Sequence, residues 1–486
     1  MEHLYDKLIE YSSSDAYPYH MPGHKRRLSE DNFKQIYAMD ITEIHDFDNL
    51  HQPEGIIYDL QEKAGKVFGA DKTYFLVNGS TVGILTAISA VIPEKGHFLM
   101  ARNCHKSAYH GAYLRKLKIS YIYPQMVEGF DICEAITLED VREVVSYYKE
   151  KGQKVDGVLI VSPTYEGRIA EVEEIAVYLH ENGIPLIVDE AHGAHLGLVE
   201  GYARNSNQQG ADVVIQSIHK TLPAMTQTAL LHINGGLVDR KRVERFLHIY
   251  QSSSPSYVLM ASIDHAIHII EEKADILFSE FKLQYATMLL ELMRCECFRF
   301  LPLTDKQDVG KLVIDCRNAN ISGNALQKIL RDRFALELEM ACELYCLAMF
   351  TIGDSEEAYK RMTEALLILD KEFSAQKINV DEYIAGEHIA DEHNLQNRKK
   401  MNNNEIRYNL SEAWDMAAGV KELSLAEGKI AAEFVNLYPP GVPILVPGEV
   451  ITKEIIFNLK KCLNKGFEVQ GIERKDEIYY INCIEE

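Results

Sequence analysis

A short polar segment between two apolar runs holds the residues best suited to chemistry in this sequence. Residues 213–215 and Ala229–Ile233 are apolar runs typical of buried strands, and the segment between them contains His219 and Lys220. A lysine held between two buried strands is not a freely solvated surface cation. Two uses suit it, either an ion-paired structural cation or an amine activated for Schiff-base chemistry. This segment alone leaves both uses open.

The elements that position this lysine follow an alternating pattern. Apolar strands are predicted at 73–77, 97–101, 120–123, 157–161, 185–188 and 213–215, and amphipathic helices are predicted at 59–68, 84–91, 138–151 and 172–182. Alternation of this kind indicates βαβ units, and therefore an α/β fold with a mainly parallel sheet covered by helices on both faces.

A polar cluster follows each of five predicted strands. The clusters are 78–81, 103–105, 162–164, 189–192 and 217–220. Ligands of open α/β sheets bind at the carboxyl ends of the strands. We therefore expect the five clusters to converge on one site.

The remaining pattern predicts further parts of the chain. A turn-rich N-terminal arm occupies 1–55 and the large domain 56–297. A small α/β domain follows at 298–372, with strands at 311–315 and 336–340 and helices at 323–333 and 355–369. A charged, weakly periodic segment at 373–405 is the predicted linker, and 406–486 form a C-terminal domain.

Composition narrows the class of protein. The chain has 486 residues and a formal net charge of −22, which argues against nucleic acid as a partner, because phosphate binding needs clustered Lys and Arg. The N-terminus has no apolar signal core, and no stretch approaches the length of a membrane span. Nine scattered cysteines without a CxxC pair indicate a reducing compartment. We predict a cytoplasmic protein without a membrane partner.

Residues 189–195 also allow two other interpretations. The letters DEAH also occur in helicases, but that function requires a phosphate loop of the form GxxxxGK[ST], which this sequence lacks. His192 and His195 lack a third ligand at zinc spacing, so we predict no metal site.

Pyridoxal phosphate explains the clusters together. This cofactor needs a lysine for the Schiff base, a carboxylate for the pyridine nitrogen and phosphate donors at a helix N-terminus. Lys220 and Asp189 supply the first two. Residues 78–81 open a helix and supply amides with the hydroxyls of Ser80 and Thr81; Ser217 is a third hydroxyl, and His105 is suited to lie flat on the ring.

A set of motifs then resembles one known family. The motifs are HMPGHK (20–25), DNLHQPEG (48–55), FLVNGSTVG (75–83), RNCHKS (102–107), SPTYEG (162–167), VDEAHGAH (188–195), QSIHKTLPAMTQ (216–227), QSSSPSY (251–257) and YPPGVPILVPGE (438–449). Together they resemble the Orn/Lys/Arg decarboxylases in their short bacterial form, over nearly the whole chain. The resemblance implies a large domain like that of pyridoxal-phosphate-dependent transferases (fold type I, aspartate-aminotransferase-like), a small α/β domain and a C-terminal decarboxylase domain.

The resemblance also implies roles for individual residues. Lys220 would carry the Schiff base, Asp189 would bind the pyridine nitrogen and His105 would stack on the ring. The residues expected on the phosphate side or around the cofactor are Ser80, Thr81, His192, Ser217 and His219. Ser253 would reach the phosphate of a neighbouring subunit, which implies a homodimer or higher homo-oligomer with shared active sites. Relatives commonly carry threonine at Ser253, tyrosine at Glu166 and aspartate at Cys342.

The implied reaction is α-decarboxylation of a basic amino acid, which makes the chain a carbon–carbon lyase of polyamine biosynthesis. Lys220 or His219 would reprotonate Cα. Arginine, giving agmatine, is the favoured substrate, followed by lysine, giving cadaverine, and ornithine, giving putrescine. A carboxylate must bind the distal cation; Glu449 is the first candidate and Asp48 the second.

Two other classes remain open. One is another pyridoxal-phosphate reaction on the same fold, such as transamination or elimination. The other is a non-catalytic paralogue, against which the presence of Lys220, Asp189 and His105 argues.

Overall fold

The computed structural model describes residues 2–14, 21, 22, 25, 33–380, 404–437, 442–464 and 468–485. The strands in chain order are β1 (Lys72–Leu76), β2 (His97–Ala101), β3 (Lys118–Ile122), β4 (Gly157–Val161), β5 (Leu186–Asp189), β6 (Val213–Gln216), β7 (Ala229–Ile233), β8 (Arg299–Phe300), β9 (Lys311–Asp315), β10 (Met340–Ala341), β11 (Tyr345–Met349), β12 (Ala418–Glu422), β13 (Val435–Leu437), β14 (Pro443–Leu445), β15 (Val469–Gln470), β16 (Ile472–Lys475) and β17 (Ile478–Ile484).

The helices alternate with these strands over much of the chain. In chain order they are α1 (Leu4–Ser12), α2 (Phe33–Met39), α3 (Ile56–Phe68), α4 (Gly79–Val91), α5 (Lys106–Leu114), α6 (Leu138–Glu150), α7 (Val172–Glu181), α8 (Ile218–Thr221), α9 (Arg240–Tyr250), α10 (Tyr257–Leu292), α11 (Gly323–Phe334), α12 (Glu356–Val380), α13 (Leu410–Ala413) and α14 (Lys453–Asn464). None of the helices in the described part of the chain combines the length and apolarity that a membrane crossing requires.

The chain forms two compact units. The first comprises 1–93, 155–163 and 171–279, and the second comprises 94–154, 164–170 and 280–486. Each is described by itself below.

The first unit contains five strands in the order β1-β7-β6-β5-β4. The pairs β4–β5 and β5–β6 are parallel, and β7 runs antiparallel to both β6 and β1. All residues of β5, β6 and β7 are buried, as expected for strands whose two faces are both covered. The predicted mainly parallel α/β sheet is confirmed.

Helix α4 lies unusually close to this sheet because of one glycine. A Cβ placed on Gly83 would lie 2.8 Å from Cδ1 of Leu76 and 2.9 Å from Cγ2 of Ile215. Both distances are shorter than normal carbon–carbon contacts, so a side chain would push the helix away from the sheet. Gly83 therefore allows the N-terminus of α4 to lie near the carboxyl ends of β1 and β6.

The second unit contains the parallel pair β2–β3 and three smaller sheets. Strands β8 to β11 form a four-stranded antiparallel sheet in the order β10-β11-β9-β8. Near the C-terminus, the sheets β12-β17-β16 and β14-β13-β15 enclose an apolar core that includes Val435, Leu445, Leu459 and Ile481.

Two predictions for the small α/β sheet were wrong in detail. The alternation in residues 336–340 predicted a strand, but only Met340 and Ala341 pair there. Strand β11 was not predicted, although it hydrogen-bonds to both β10 and β9. An alternating pattern describes one face of a strand, whereas the backbone partner decides whether the strand forms.

Parts of two sequence predictions lie outside the described residues. The segment HMPGHK is described only at Met21, Pro22 and Lys25. Helix α12 continues to Val380, beyond the predicted start of the linker, and residues 381–403 are not described. The division into five parts stays a prediction.

Asp48 anchors the described end of the N-terminal arm to helix α3. Its Oδ2 accepts hydrogen bonds from the backbone amides of Gly55 (2.9 Å), Ile57 (2.9 Å) and Tyr58 (3.3 Å), and Oδ1 accepts one from Glu54 (3.0 Å). Burial alone would raise the pKa of this carboxyl, but the backbone hydrogen bonds lower it below its ordinary value. Asp48 thus supplies the acceptor that the unpaired amides at a helix start require.

We predict that Asp48→Ala lowers the free energy of unfolding by about 1–2 kcal/mol, as for other lost helix caps. Because the pKa of Asp48 is lowered in the folded state, its contribution is present at neutral pH and disappears as the pH falls through that lowered pKa. Urea unfolding at several pH values measures both effects. Asp46→Ala, at an exposed neighbour, is the control; equal losses in both variants would contradict the capping role.

Candidate active site

Lys220 lies on the short helix α8, directly after β6. Its Nζ lies 3.0 Å from Nε2 of His192, within hydrogen-bond distance. His192 is buried and follows β5, the strand beside β6. The pairing of two neighbouring strands therefore brings together two of the predicted polar clusters.

Asp189 is the last residue of β5 and is 6 % exposed. Its Oδ1 accepts a hydrogen bond from the amide of Ala191 (3.1 Å). Burial raises the pKa of this carboxyl, while the charge of Lys220 and the Ala191 amide act in the opposite direction. A cation placed against Asp189 would counteract this rise in pKa and stabilise the carboxylate form. The site therefore favours a positively charged ligand group.

His219 is held by the loop that follows α8. Its Nδ1 lies 2.8 Å from the carbonyl oxygen of Thr228 and donates to it. Burial lowers the pKa of His219; the Thr228 carbonyl opposes this shift and the nearby Lys220 adds to it. The imidazole is therefore neutral at pH 7, and its Nε2 is free of a proton.

The N-terminus of α4 offers donors for an anion. Gly79 has φ +76°, and the side chain of the preceding Asn78 does not cap the helix but exchanges hydrogen bonds with Ser252, each 3.0 Å long. Ser80 is half-buried and Thr81 is exposed on the first turn. The backbone amides at this helix start are suited to a phosphate.

The Lys220 segment contains buried hydroxyls, and a side-chain hydrogen bond connects the loop after it to this helix start. In the described part of the chain, Oγ of Ser217 is buried without a hydrogen-bond partner, as is Oγ1 of Thr221. Nε2 of Gln227 donates to the carbonyl of Val77 (2.8 Å), one residue before Asn78. An unpaired buried hydroxyl is costly unless a ligand accepts from it. These donors, Lys220 and Asp189 fit pyridoxal phosphate.

Two predicted residues are placed without a test of their roles. Ser253 is exposed and follows Ser252, which is hydrogen-bonded to Asn78. His105, in the second unit, caps α5: its Nδ1 accepts from the amide of Ser107 (3.2 Å), so the proton of the neutral ring lies on Nε2. The roles of both residues toward the cofactor stay proposals.

The two carboxylates expected to bind the distal cation of the substrate have other partners. Asp48 is surrounded by backbone amides, as described above. Glu449 is 1 % exposed, and its Oε2 accepts from Nη2 of Arg102 (3.1 Å), Nδ2 of Asn404 (2.9 Å) and the amide of Val446 (3.0 Å). Both side chains have structural partners in these positions, and the binding of the substrate's distal cation by either one stays a prediction.

Arg102 is a residue to which sequence reasoning assigned no role. It follows β2 and is 1 % exposed, and its guanidinium also donates to the carbonyls of Pro443 (2.7 Å) and Ile444 (3.2 Å). The signal in the sequence was an arginine directly after an apolar strand. The pair with Glu449 ties the RNCHKS segment to the C-terminal PGE turn within the second unit.

Glu166 and Cys342, two departures from the family pattern, both belong to the second unit; Glu166 is buried and Cys342 is partly buried. Oε1 of Glu166 accepts from the hydroxyl of Tyr345 (2.8 Å). Burial raises the pKa of Glu166, and the Tyr345 hydrogen bond opposes this shift. Burial also raises the pKa of the Cys342 thiol, to which the charge of Glu166 contributes. The two positions are therefore electrostatically connected.

Comparison with known proteins shows the family of this chain. Residues 2–311 match the model of the Orn/Lys/Arg decarboxylase major domain, and residues 394–485 match that of the C-terminal domain. Because the first match alone covers more than half of the chain, the protein belongs to the Orn/Lys/Arg decarboxylase family.

Individual relatives extend this result over nearly the full length. An arginine decarboxylase of Bacillus subtilis (strain 168) is 32% identical, covering 99% of this chain and 98% of the relative. An arginine decarboxylase of Bacillus anthracis is 30% identical, covering 97% and 94%. The crystal structure of the Francisella novicida lysine decarboxylase LdcF has a TM-score of 0.81, with 19% identity, and covers 99% of this chain and 81% of that one. That structure supports the predicted transferase-like fold.

We predict that Glu449→Ala lowers the free energy of unfolding by about 3–5 kcal/mol, because the Arg102 charge would stay buried without its partner. The double variant Arg102→Met/Glu449→Leu should lose less, since it removes both charges. Chemical unfolding of purified protein measures both.

The exposed pair of Arg407 and Glu405 provides the control, and Glu405→Ala should change stability by under about 1 kcal/mol. A Glu449→Ala protein of unchanged stability with a raised KM for the cationic substrate would instead support the predicted substrate role of Glu449.

Proposed function

We propose that this protein is a pyridoxal-phosphate-dependent α-decarboxylase of basic amino acids, with arginine as the favoured substrate. The observation that carries the proposal is the buried carboxylate of Asp189 within electrostatic reach of the Lys220 amine, on the ends of two paired strands. A carboxylate and an amine in this arrangement match the two ends of a pyridoxal ring system.

The residues of the first unit divide the work of holding the cofactor. Lys220 would attach it covalently, and Asp189 would hold its pyridine nitrogen in the protonated form. The amides of α4, with Ser80, Thr81 and Ser217, would bind the phosphate. The bound cofactor supplies an electron sink for the bond that breaks at Cα.

The neighbours of Lys220 handle protons. His192 lies within hydrogen-bond distance of Nζ, so it would orient the Lys220 amine and would exchange a proton with it whenever that amine is free. His219 is neutral with a free Nε2. Lys220, or His219 after its Nε2 has taken up a proton, would deliver the proton that replaces the lost carboxylate at Cα.

Arginine is favoured as substrate because two full-length relatives bear the name arginine decarboxylase. Lysine is second and ornithine third. Another reaction of this fold, or a non-catalytic role, is not favoured by these relatives.

Assembly and location are part of the proposal. A homodimer with shared active sites is supported by the exposed position of Ser253, next to Ser252, which is hydrogen-bonded to Asn78 at the start of α4. A cytoplasmic location is supported by nine cysteines that are all free thiols.

We predict that the purified protein releases carbon dioxide from arginine without a keto-acid acceptor, and that it acts more slowly on lysine and ornithine. A side-by-side assay of the three amines formed measures this preference. Keto-acid formation, or equal inactivity on all three amino acids, would contradict the proposal.

We further predict that borohydride reduction fixes the cofactor on Lys220, which peptide mass spectrometry would locate. Lys220→Ala should lose the visible absorbance and reduce activity to background. Lys241→Ala, at an exposed lysine on α9, should retain both. Fixation on another lysine would refute the assignment of Lys220.

A further inference from the structure

A line of buried side chains crosses the sheet of the first unit behind the candidate site. Oγ1 of Thr73 lies 2.8 Å from Nδ1 of His232, and Nε2 of His232 lies 3.0 Å from Oε1 of Gln216. Nε2 of Gln216 donates to Oε2 of Glu190 (2.7 Å), whose Oε1 accepts from the amide (2.9 Å) and hydroxyl (2.6 Å) of Ser206. We call these five residues the Glu190 chain; each is at most 1 % exposed.

The hydrogen bonds of the Glu190 chain all lead to Glu190 as the final acceptor, from Thr73, His232 and Gln216 on one side and from Ser206 on the other. Burial lowers the pKa of His232 to about 3, so its ring is neutral and carries one N–H. The Thr73 hydroxyl then donates to Nδ1, and Nε2–H donates to Gln216. Every donor is satisfied only if Glu190 ends the line as an acceptor.

The Glu190 chain joins the two segments that carry the candidate site. Glu190 follows Asp189 and precedes His192 by two residues, while Gln216 precedes Ser217 and lies four residues before Lys220. The backbone adds one bond, from the amide of Glu190 to the carbonyl of Ile215 (2.9 Å). The side-chain bond between Glu190 and Gln216 is a second connection at the same strand ends.

We propose that Glu190 is a positioning residue that fixes the carboxyl ends of β5 and β6 against each other through Gln216. It thereby sets the position of the Asp189 carboxylate relative to the Lys220 amine. This inference rests on the proposed function, in which those two groups hold opposite ends of the cofactor.

The surroundings of Glu190 agree with a specific role rather than general packing. Burial raises the pKa of Glu190 to about 7, whereas the bonds from Ser206 and Gln216 act to lower it and the neighbouring Asp189 raises it. A carboxylate kept in such a place, beside a second buried carboxylate, is unfavourable for stability alone. Its three hydrogen bonds hold the two loops in one arrangement.

The opposite ends of the same strands provide a matched control. Oδ2 of Asp212 accepts from the amide of Leu186 (2.8 Å) and lies 2.9 Å from Nε2 of His180. Asp212 thus joins the amino ends of β5 and β6, as Glu190 joins their carboxyl ends. Asp212→Asn should weaken the same pair of strands without moving the site.

Two single variants of the bond between Glu190 and Gln216 test the proposal, and a double variant that exchanges the two residues completes the test. Gln216→Glu places two carboxylates against each other, and Glu190→Ala removes the acceptor. Each should lower kcat about 10- to 100-fold, with a smaller change in KM, because displacements near 1 Å have effects of that size. The absorbance of the lysine-bound cofactor should shift in both variants.

The exchanged variant Glu190→Gln/Gln216→Glu satisfies every hydrogen bond again with the bond between residues 190 and 216 reversed, since residue 216 then accepts from both His232 and residue 190, and the side-chain carbonyl of residue 190 still accepts from Ser206. It should recover most of the lost kcat and the original absorbance. Asp212→Asn should lower the unfolding midpoint while kcat and absorbance stay unchanged.

Three outcomes decide the matter. Normal absorbance and kcat in Glu190→Ala and Gln216→Glu, with only lowered unfolding midpoints, would overturn the positioning role. Failure of the exchanged variant to recover, while it unfolds at the midpoint of the original protein, would do the same. If the unaltered protein binds no cofactor at all, both the proposed function and the positioning role fail. If it binds the cofactor and is active, but the variants keep normal kcat and absorbance, only the positioning role is contradicted.

Discussion

The burial of two adjacent carboxylates is the constraint on which the first unit depends. Asp189 and Glu190 are adjacent at the end of β5, and burial raises the pKa of each carboxyl. Asp189 is balanced by the charge of Lys220, and Glu190 by hydrogen bonds from two segments. Both solutions require β6 beside β5 in the observed register, with Asp189 opposite Ile215. The sheet is therefore organised by electrostatics as well as by apolar packing.

The second unit meets the same constraint with a different pair of groups. Arg102 and Glu449 are both removed from water, and backbone carbonyls and an amide complete their hydrogen bonding. A buried ion pair of this kind is weak evidence for high stability but is demanding in geometry. It connects the segment containing His105 to the C-terminal domain within that unit.

Sequence reasoning succeeded where a pattern is local. Mostly apolar runs predicted the bounds of β2, β4, β7 and β9, because strands buried on both faces have few polar side chains. It failed where the partner decides: β11 forms because it lies between two other strands. The site followed the same rule. The polar strand ends marked Lys220 and Asp189, whereas the partner of Glu449 lies 347 residues earlier in the chain. The sequence also does not show that Glu190 and Gln216 form a hydrogen bond. Successive side chains of a strand point to opposite faces, so the position of Asp189 does not indicate the partner of Glu190.

The separation between Arg102 and Glu449 has a consequence for synthesis. Ribosomes add roughly 5–20 residues per second, so about 17 to 70 seconds pass between the two residues. During that time the guanidinium of Arg102 lacks the carboxylate of Glu449 and must stay hydrated. The segment around His105 therefore reaches its final form only after the PGE turn has been synthesised and has supplied Glu449 to Arg102.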